Sequence, residues 1–147
     1  MSFQFRFEKI LTMKEKETES AFHEMNVIKT IKETAEHQLL ELVEKKDSYV
    51  RDYQTMMRNS LRVTDIQERE QYIHFLDKQI DRARKKVNEL TQEFHLKNNL
   101  LLAKNQEEKI WSSWREKSLE EYTEKINREE QNHLDEMAVL RYFHKTI

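Results

Sequence analysis

No glycine, no proline and no cysteine occurs among the 147 residues. Ordinary usage would supply about ten glycines and seven prolines in this length. Those two residues mark tight turns, strand ends and helix stops. A chain with neither has few sharp reversals and no glycine to take a left-handed backbone. That excludes a many-hairpin β fold and a glycine-rich phosphate loop, which needs close backbone approach. The missing cysteines exclude disulfides, thiolate catalysis and cysteine-held zinc, and they suit a reducing compartment. Long apolar runs are absent too: no stretch nears the roughly 20 residues of a membrane span, and Met1–Lys9 has no run of signal-peptide length. A soluble cytoplasmic protein is expected.

What is present is charge and periodicity. Charged residues make up 37% and apolar residues 37%, with a net charge of −2. That is too little apolar matter for a thick core and enough for a narrow helix–helix seam. The near-zero net charge and 10% aromatics argue against disorder.

A seven-residue register runs through the first third of the chain. One seam position holds Phe7, Lys14, Ala21, Ile28, Ala35, Leu42, Tyr49 and Met56; the other holds Leu11, Thr18, Met25, Lys32, Leu39, Lys46 and Tyr53. The pattern stops at Met57, and Arg58–Val63 reads as a turn. Thr64-Asp65-Ile66-Gln67 then has the form of a capping box that would start a second helix. That helix carries Ile66, Ile73, Ile80, Val87, Phe94 and Leu101, with a companion series Arg69, Leu76, Ala83, Leu90 and Lys97. After Leu101 a new apolar series, Leu119, Ile126, His133 and Leu140, is offset by four residues, which predicts a stutter near residues 104–118.

The expected fold is therefore all-α: a long antiparallel two-helix coiled-coil hairpin over residues 1–147. Helix 1 spans about 3–57, the turn about 58–63 and the longer C-terminal helix about 64–143. A turn centred on Leu61 pairs residues whose numbers sum to about 122, so Ala35 meets Val87, Leu42 meets Ile80 and Tyr49 meets Ile73. At about 1.5 Å per residue the helices are about 80 and 120 Å long. Helix 1 therefore runs out opposite residues near 119. The C-terminal residues beyond carry Tyr122, Ile126, Leu134, Met137, Leu140, Tyr142 and Phe143. Such a stripe meets a heterologous partner, folds back or dimerises; the helix-in-groove mode of binding favours the partner.

Enzyme chemistry is not expected. Six histidines are scattered, with no pair at the i, i+4 spacing of a helical zinc site; no metal and no cofactor is anticipated. The carboxylates lie on solvated helix faces, without the dehydrated pocket that separates the pKa values of a catalytic pair. The run Arg82-Ala83-Arg84-Lys85-Lys86 spreads around a helix, and residues 107–136 hold ten acids against five bases. Neither suggests nucleic acid as a partner. Aromatics gather at the base of the hairpin. Phe3 and Phe7 share a helix face, Phe5 points elsewhere, and Trp111 and Trp114 lie opposite. They read as a plug closing the hairpin or as anchors for a partner.

Four stretches together resemble the FliJ family, the coiled-coil component of the bacterial flagellar type III export apparatus. They are Phe5-Arg6-Phe7-Glu8-Lys9-Ile10-Leu11 with Lys14 and Glu17, Gln38-Leu39 leading to Leu42 and Tyr49, Gln71-Tyr72-Ile73-His74-Phe75-Leu76, and Leu134-Asp135-Glu136-Met137-Ala138. The resemblance implies a non-enzymatic, stalk-like hairpin, monomeric when free. It would sit in the cytoplasm at the flagellar basal body, peripherally associated with the membrane, and serve motility and chemotaxis. Its implied partners are the hexameric flagellar export ATPase, the export-gate membrane protein and export chaperones. The resemblance carries ATPase binding onto Phe3, Phe5, Phe7, Leu11, Tyr122, Ile126, Leu134, Asp135, Glu136, Met137 and Leu140. It carries gate binding onto Gln38, Leu42, Tyr49, Tyr72 and Leu76. Lys45, Gln79 and Ala83 depart from the family pattern, as does a turn without glycine. A generic helical chaperone or structural spacer holding client proteins is the rival reading.

Overall fold

The structure is a computed structural model that describes residues 2–146. Two helices make up nearly all of it: α1, Glu8–Met57, and α2, Val63–Thr146. They form the expected all-α antiparallel hairpin. The chain divides into two compact units. One is Ser20–Leu102 and contains the turn; the other joins the chain up to Glu19 with the chain from Ala103 onward.

In the turn unit the heptad residues face inward. Ala21, Ala35, Tyr53, Leu76 and Ile80 are buried, and Ile28, Leu42, Tyr49, Ile73, Val87 and Phe94 are half-buried. Met56, at the rim, is exposed. Side chains that touch across the pair match the predicted register. Lys97 bonds Glu24 at 3.1 Å, Lys46 pairs with Asp77, and the Tyr49 and Tyr72 rings lie 4.6 Å apart. The polar seam residue Lys32 keeps its place by lying over the Phe94 ring, 5.0 Å from its centre. A lysine stem in a seam is tolerated when its charged head finds such a face or reaches water.

The reversal is built from polar residues. The Asn59 amide donates to Met56 O at 3.0 Å, and Ser60 takes a left-handed backbone with φ 49°. Glycine is the usual residue at such a position, because it has no Cβ to crowd the carbonyl.

Three local expectations are corrected. First, α2 begins at Val63, and Arg62 O accepts the first helical bond, from Ile66 N at 3.1 Å. Arg62 is therefore the capping residue. Thr64 lies inside the first turn, where its hydroxyl cannot close the capping box with Gln67. Asp65 supplies the negative charge that the helix dipole favours there. Second, α1 begins at Glu8, so residues 3–7 are not helical. Third, α2 runs on to Thr146, with His144 and Lys145 suiting its C-terminal dipole.

Two stability measurements follow. Leu76 is 1% exposed; Leu76→Ala is expected to cost about 2–5 kcal/mol, read from urea unfolding. Ser60→Gly relieves the left-handed strain but frees the unfolded chain, so a net gain of about 0.5–1 kcal/mol is expected, seen as a higher urea midpoint.

Candidate partner-binding surface

The unit carrying the N-terminal segment is closed by aromatic rings rather than by an aliphatic seam. Phe7 packs on Trp111 and Trp114, with centroids 5.6 and 5.2 Å away. The two tryptophans are 5.5 Å apart, Phe5 meets Phe7 at 5.9 Å, and Phe3 meets Tyr122 at 5.5 Å. Arg115 lies over the Phe3 ring and bonds Glu8 at 2.9 Å. Phe5 is the buried ring, contrary to the helical expectation that it points away. A helix would set residues 3, 5 and 7 at diverging angles. The non-helical start instead brings all three onto one knot, with Glu8 N bonded back to Phe5 O at 3.2 Å.

Next to the knot the seam is ionic. Lys14 bonds Glu107 at 3.1 Å and Lys104 bonds Glu17 at 3.2 Å. The within-helix pairs Lys14–Glu17 and Lys104–Glu107 close a four-charge square at 3.6 and 3.8 Å. Thr18 Oγ1 donates to the carbonyls of Lys14 and Lys104. The hydrogen bond from Lys104 holds the Glu17 carboxyl below its ordinary range; partial desolvation opposes this and the lysine charges reinforce it. The hydrogen bond to Glu107 raises Lys14 in the same way.

These polar residues also correct the predicted stutter. The half-buried positions Lys104, Glu108, Trp111, Arg115, Ser118 and Tyr122 continue the heptad phase of Leu101 and Lys97. Of the offset series Ile126 is half-buried, and Leu119, His133 and Leu140 are exposed. The packing phase therefore persists while apolar residues leave it. An apolar-only reading takes that departure for a slip.

Past Tyr122 the burial ends. Ile126 is half-buried, and every other residue from Thr123 to Lys145 is exposed. Within this stretch Leu134 is 60%, Met137 42% and Leu140 61% exposed, beside exposed Asp135 and Glu136. The residues assigned to ATPase binding thus fall into two kinds, with half-buried Ile126 between them. Phe3, Phe5, Phe7, Leu11 and Tyr122 belong to the packed base. Leu134, Met137 and Leu140 share an exposed helix face, with Glu136 at its edge and exposed Asp135 on the far side.

The residues assigned to gate binding do not form one patch. Tyr49 and Tyr72 share a layer with Phe75, and Arg69 lies over the Tyr49 ring. Gln38 is exposed, but three turns of α1 away from Tyr49. Leu42 is half-buried, and Leu76 presents no surface. The Arg69–Tyr49 contact and the charge square were not foreseen. Their signal was the few polar residues at seam positions, Lys14, Thr18 and Arg69, each of which required a partner across the hairpin.

Among the described residues no three metal-ligating side chains come together, and no helix is long and apolar enough to cross a membrane.

The charge square predicts an acid response. Because the folded Glu17 carboxyl titrates below its unfolded value of about 4.5, its contribution is full above that range. It is lost as pH falls through the folded pKa. Lys104→Met removes Glu17's first partner. Between pH 5 and 3 the variant is expected to lose less of its stability than the wild type does, measured by urea unfolding at each pH.

The comparisons agree with this architecture. The family model of the flagellar FliJ protein matches residues 3–146. The flagellar FliJ protein of Bacillus subtilis (strain 168) is 24% identical over 142 residues, covering 97% of each chain. No solved structure matches. With the family match running from the aromatic knot to the end of the exposed helix, this chain belongs to the flagellar FliJ protein family.

Proposed function

We propose that this component of the flagellar export apparatus acts as a stalk-like element. It enters the ring of the hexameric export ATPase by the unit that carries both the N-terminal segment and the end of α2. The observation that carries this reading is the exposed helix beyond Tyr122, with Leu134, Met137 and Leu140 in water beside Asp135 and Glu136. A helix face that its own chain leaves open is the form that helix-in-groove binding uses. The knot of Phe3, Phe5, Phe7 and Tyr122 and the buried Leu11 hold that helix in place, and they contribute by positioning.

In this reading the chain makes and breaks no bond. Its contribution is mechanical, coupling the ATPase to the export-gate membrane protein and to export chaperones at the membrane-facing base of the flagellum. Of the gate residues, Tyr49 and Tyr72 are the partly exposed pair, and Gln38 is a separate exposed contact. Leu42 and Leu76 support them from within the seam.

Ending the chain at Ile126 spares every ring of the knot and removes the exposed face. The truncated chain is expected to bind the export ATPase at least about tenfold more weakly, a loss of about 1.4 kcal/mol, in a pull-down or titration. It should also lose its effect on ATPase turnover. Unchanged binding would refute the site, and a chain with no effect on turnover at any length would favour the client-holding reading.

A further inference from the structure

The unit that carries the N-terminal segment has unlike sides. Over its helical part, residues 8–19 against 103–114, three large apolar side chains are exposed: Met13 at 50%, Ile110 at 66% and Trp114 at 48%. The charge square fixes where they lie. Glu17 and Glu107 both pair with Lys14 and Lys104, so these two acids share one side of the helix pair. Trp114 follows Glu107 by seven residues and Ile10 precedes Glu17 by seven, which repeats the same position. Met13 lies three residues from Ile10 and four from Glu17. Ile110 lies three from Glu107 and four from Trp114. Both are therefore neighbours on that side. The three exposed apolar side chains, with half-buried Ile10, line one side of the pair, and the other side exposes none over these residues.

The free charges around this strip have one sign. Lys9 and Lys16 flank Met13 on its outer edge, one turn before it and one after. Lys117 sits one turn beyond Trp114 and two beyond Ile110. All three lysines are exposed, and among the described residues none of them enters an ion pair. The acids of the same side, Glu17 and Glu107, are engaged by Lys14 and Lys104. The strip ends where Glu121 and Glu124 return acid to this side, one to two turns beyond Lys117.

We infer that this side of the unit is a docking groove for an acidic amphipathic helix of another protein, about three turns long. That helix lays its apolar stripe over Met13, Ile110 and Trp114 and sets its carboxylates against Lys9, Lys16 and Lys117. Two antiparallel helices leave a groove along each side, and a third helix fills one by the helix-in-groove mode. A half-exposed tryptophan is the kind of side chain that dominates such contacts. The lysines at the rim select the partner more than they add affinity. An anionic membrane surface fits less well, because Glu121 and Glu124 would meet it together with the bases.

The test uses the full chain and two helical peptides that share one leucine stripe, hold no aromatic residue, and carry either glutamate or lysine at their polar positions. Both tryptophans of the chain lie in this unit, so their emission reports docking. The glutamate peptide is expected to shift that emission to the blue. It should bind at least about tenfold more tightly than the lysine peptide, in titrations reaching about 1 mM. Ile110→Asp should weaken its binding at least about tenfold. Lys9→Glu, Lys16→Glu and Lys117→Glu combined should invert the preference between the peptides. Circular dichroism should show the helix content of both variants unchanged. Ending the chain at Ile126 should leave peptide binding as it is, so the result is independent of the ATPase reading. Equal binding of the two peptides, no binding of either, or full affinity in Ile110→Asp would each overturn the inference. So would tighter binding to phosphatidylglycerol vesicles than to the glutamate peptide. A second copy of the chain in the groove would overturn it too, seen as a mass of twice 18.1 kDa that Ile110→Asp abolishes.

Discussion

The backbone of Ser60 reverses the chain, and every cross-hairpin contact depends on where that reversal falls. A stiff helix cannot adjust its phase locally, so one turn sets the partner of each residue for the whole length of the pair. A shift of one residue would rotate the inward stripe by about 100° and set Lys46 and Lys104 against the wrong carboxylates. The turn therefore carries strain that a glycine would have avoided, while the polar stretch Arg58–Arg62 leaves the two long seams free to settle the register.

A two-helix seam has only one inward stripe per helix, so each polar residue on it must be answered from the other side. The turn unit answers with aromatic faces and single ion pairs, as with Lys32 over Phe94 and Lys46 with Asp77. The unit carrying the N-terminal segment answers with a closed square of four charges and with Arg115 bound to both Glu8 and Phe3. Pairs as exposed as these add little net stability. Their effect is to penalise mispairing, because any other register leaves half-buried lysines and arginines facing apolar side chains.

Much of this was legible in the sequence because the heptad repeat reports burial directly. Ala21, Ala35, Leu76 and Ile80 were recognisable as core, and the sum near 122 set Tyr49 opposite Ile73, one residue from the Tyr72 ring that it meets. The errors arose where periodicity is not the controlling influence. At residues 3–7 three phenylalanines seek one pocket, and satisfying all three outweighs continuing the helix. At Thr64 the capping pattern is present, but the turn ends one residue early and gives the capping position to Arg62. Between Lys104 and Ser118 the inward positions are polar apart from Trp111, so apolar periodicity points to the wrong stripe. The exposed end beyond Tyr122 was legible from unequal helix lengths alone, whereas the differing exposure of Gln38, Leu42, Tyr49, Tyr72 and Leu76 was not, because resemblance transfers positions and not exposure.

The end of α2 has a further consequence for the life of the protein. Its last twenty or so residues are helical without tertiary burial, so they open as an isolated peptide helix does, far more readily than the paired segments. Such a segment is held folded by whatever covers it. Copies made in excess of their binding places would present an intermittently unwound tail to any protease nearby. The amount of intact protein would then follow the number of occupied sites, a form of quality control written into the inequality of two helices.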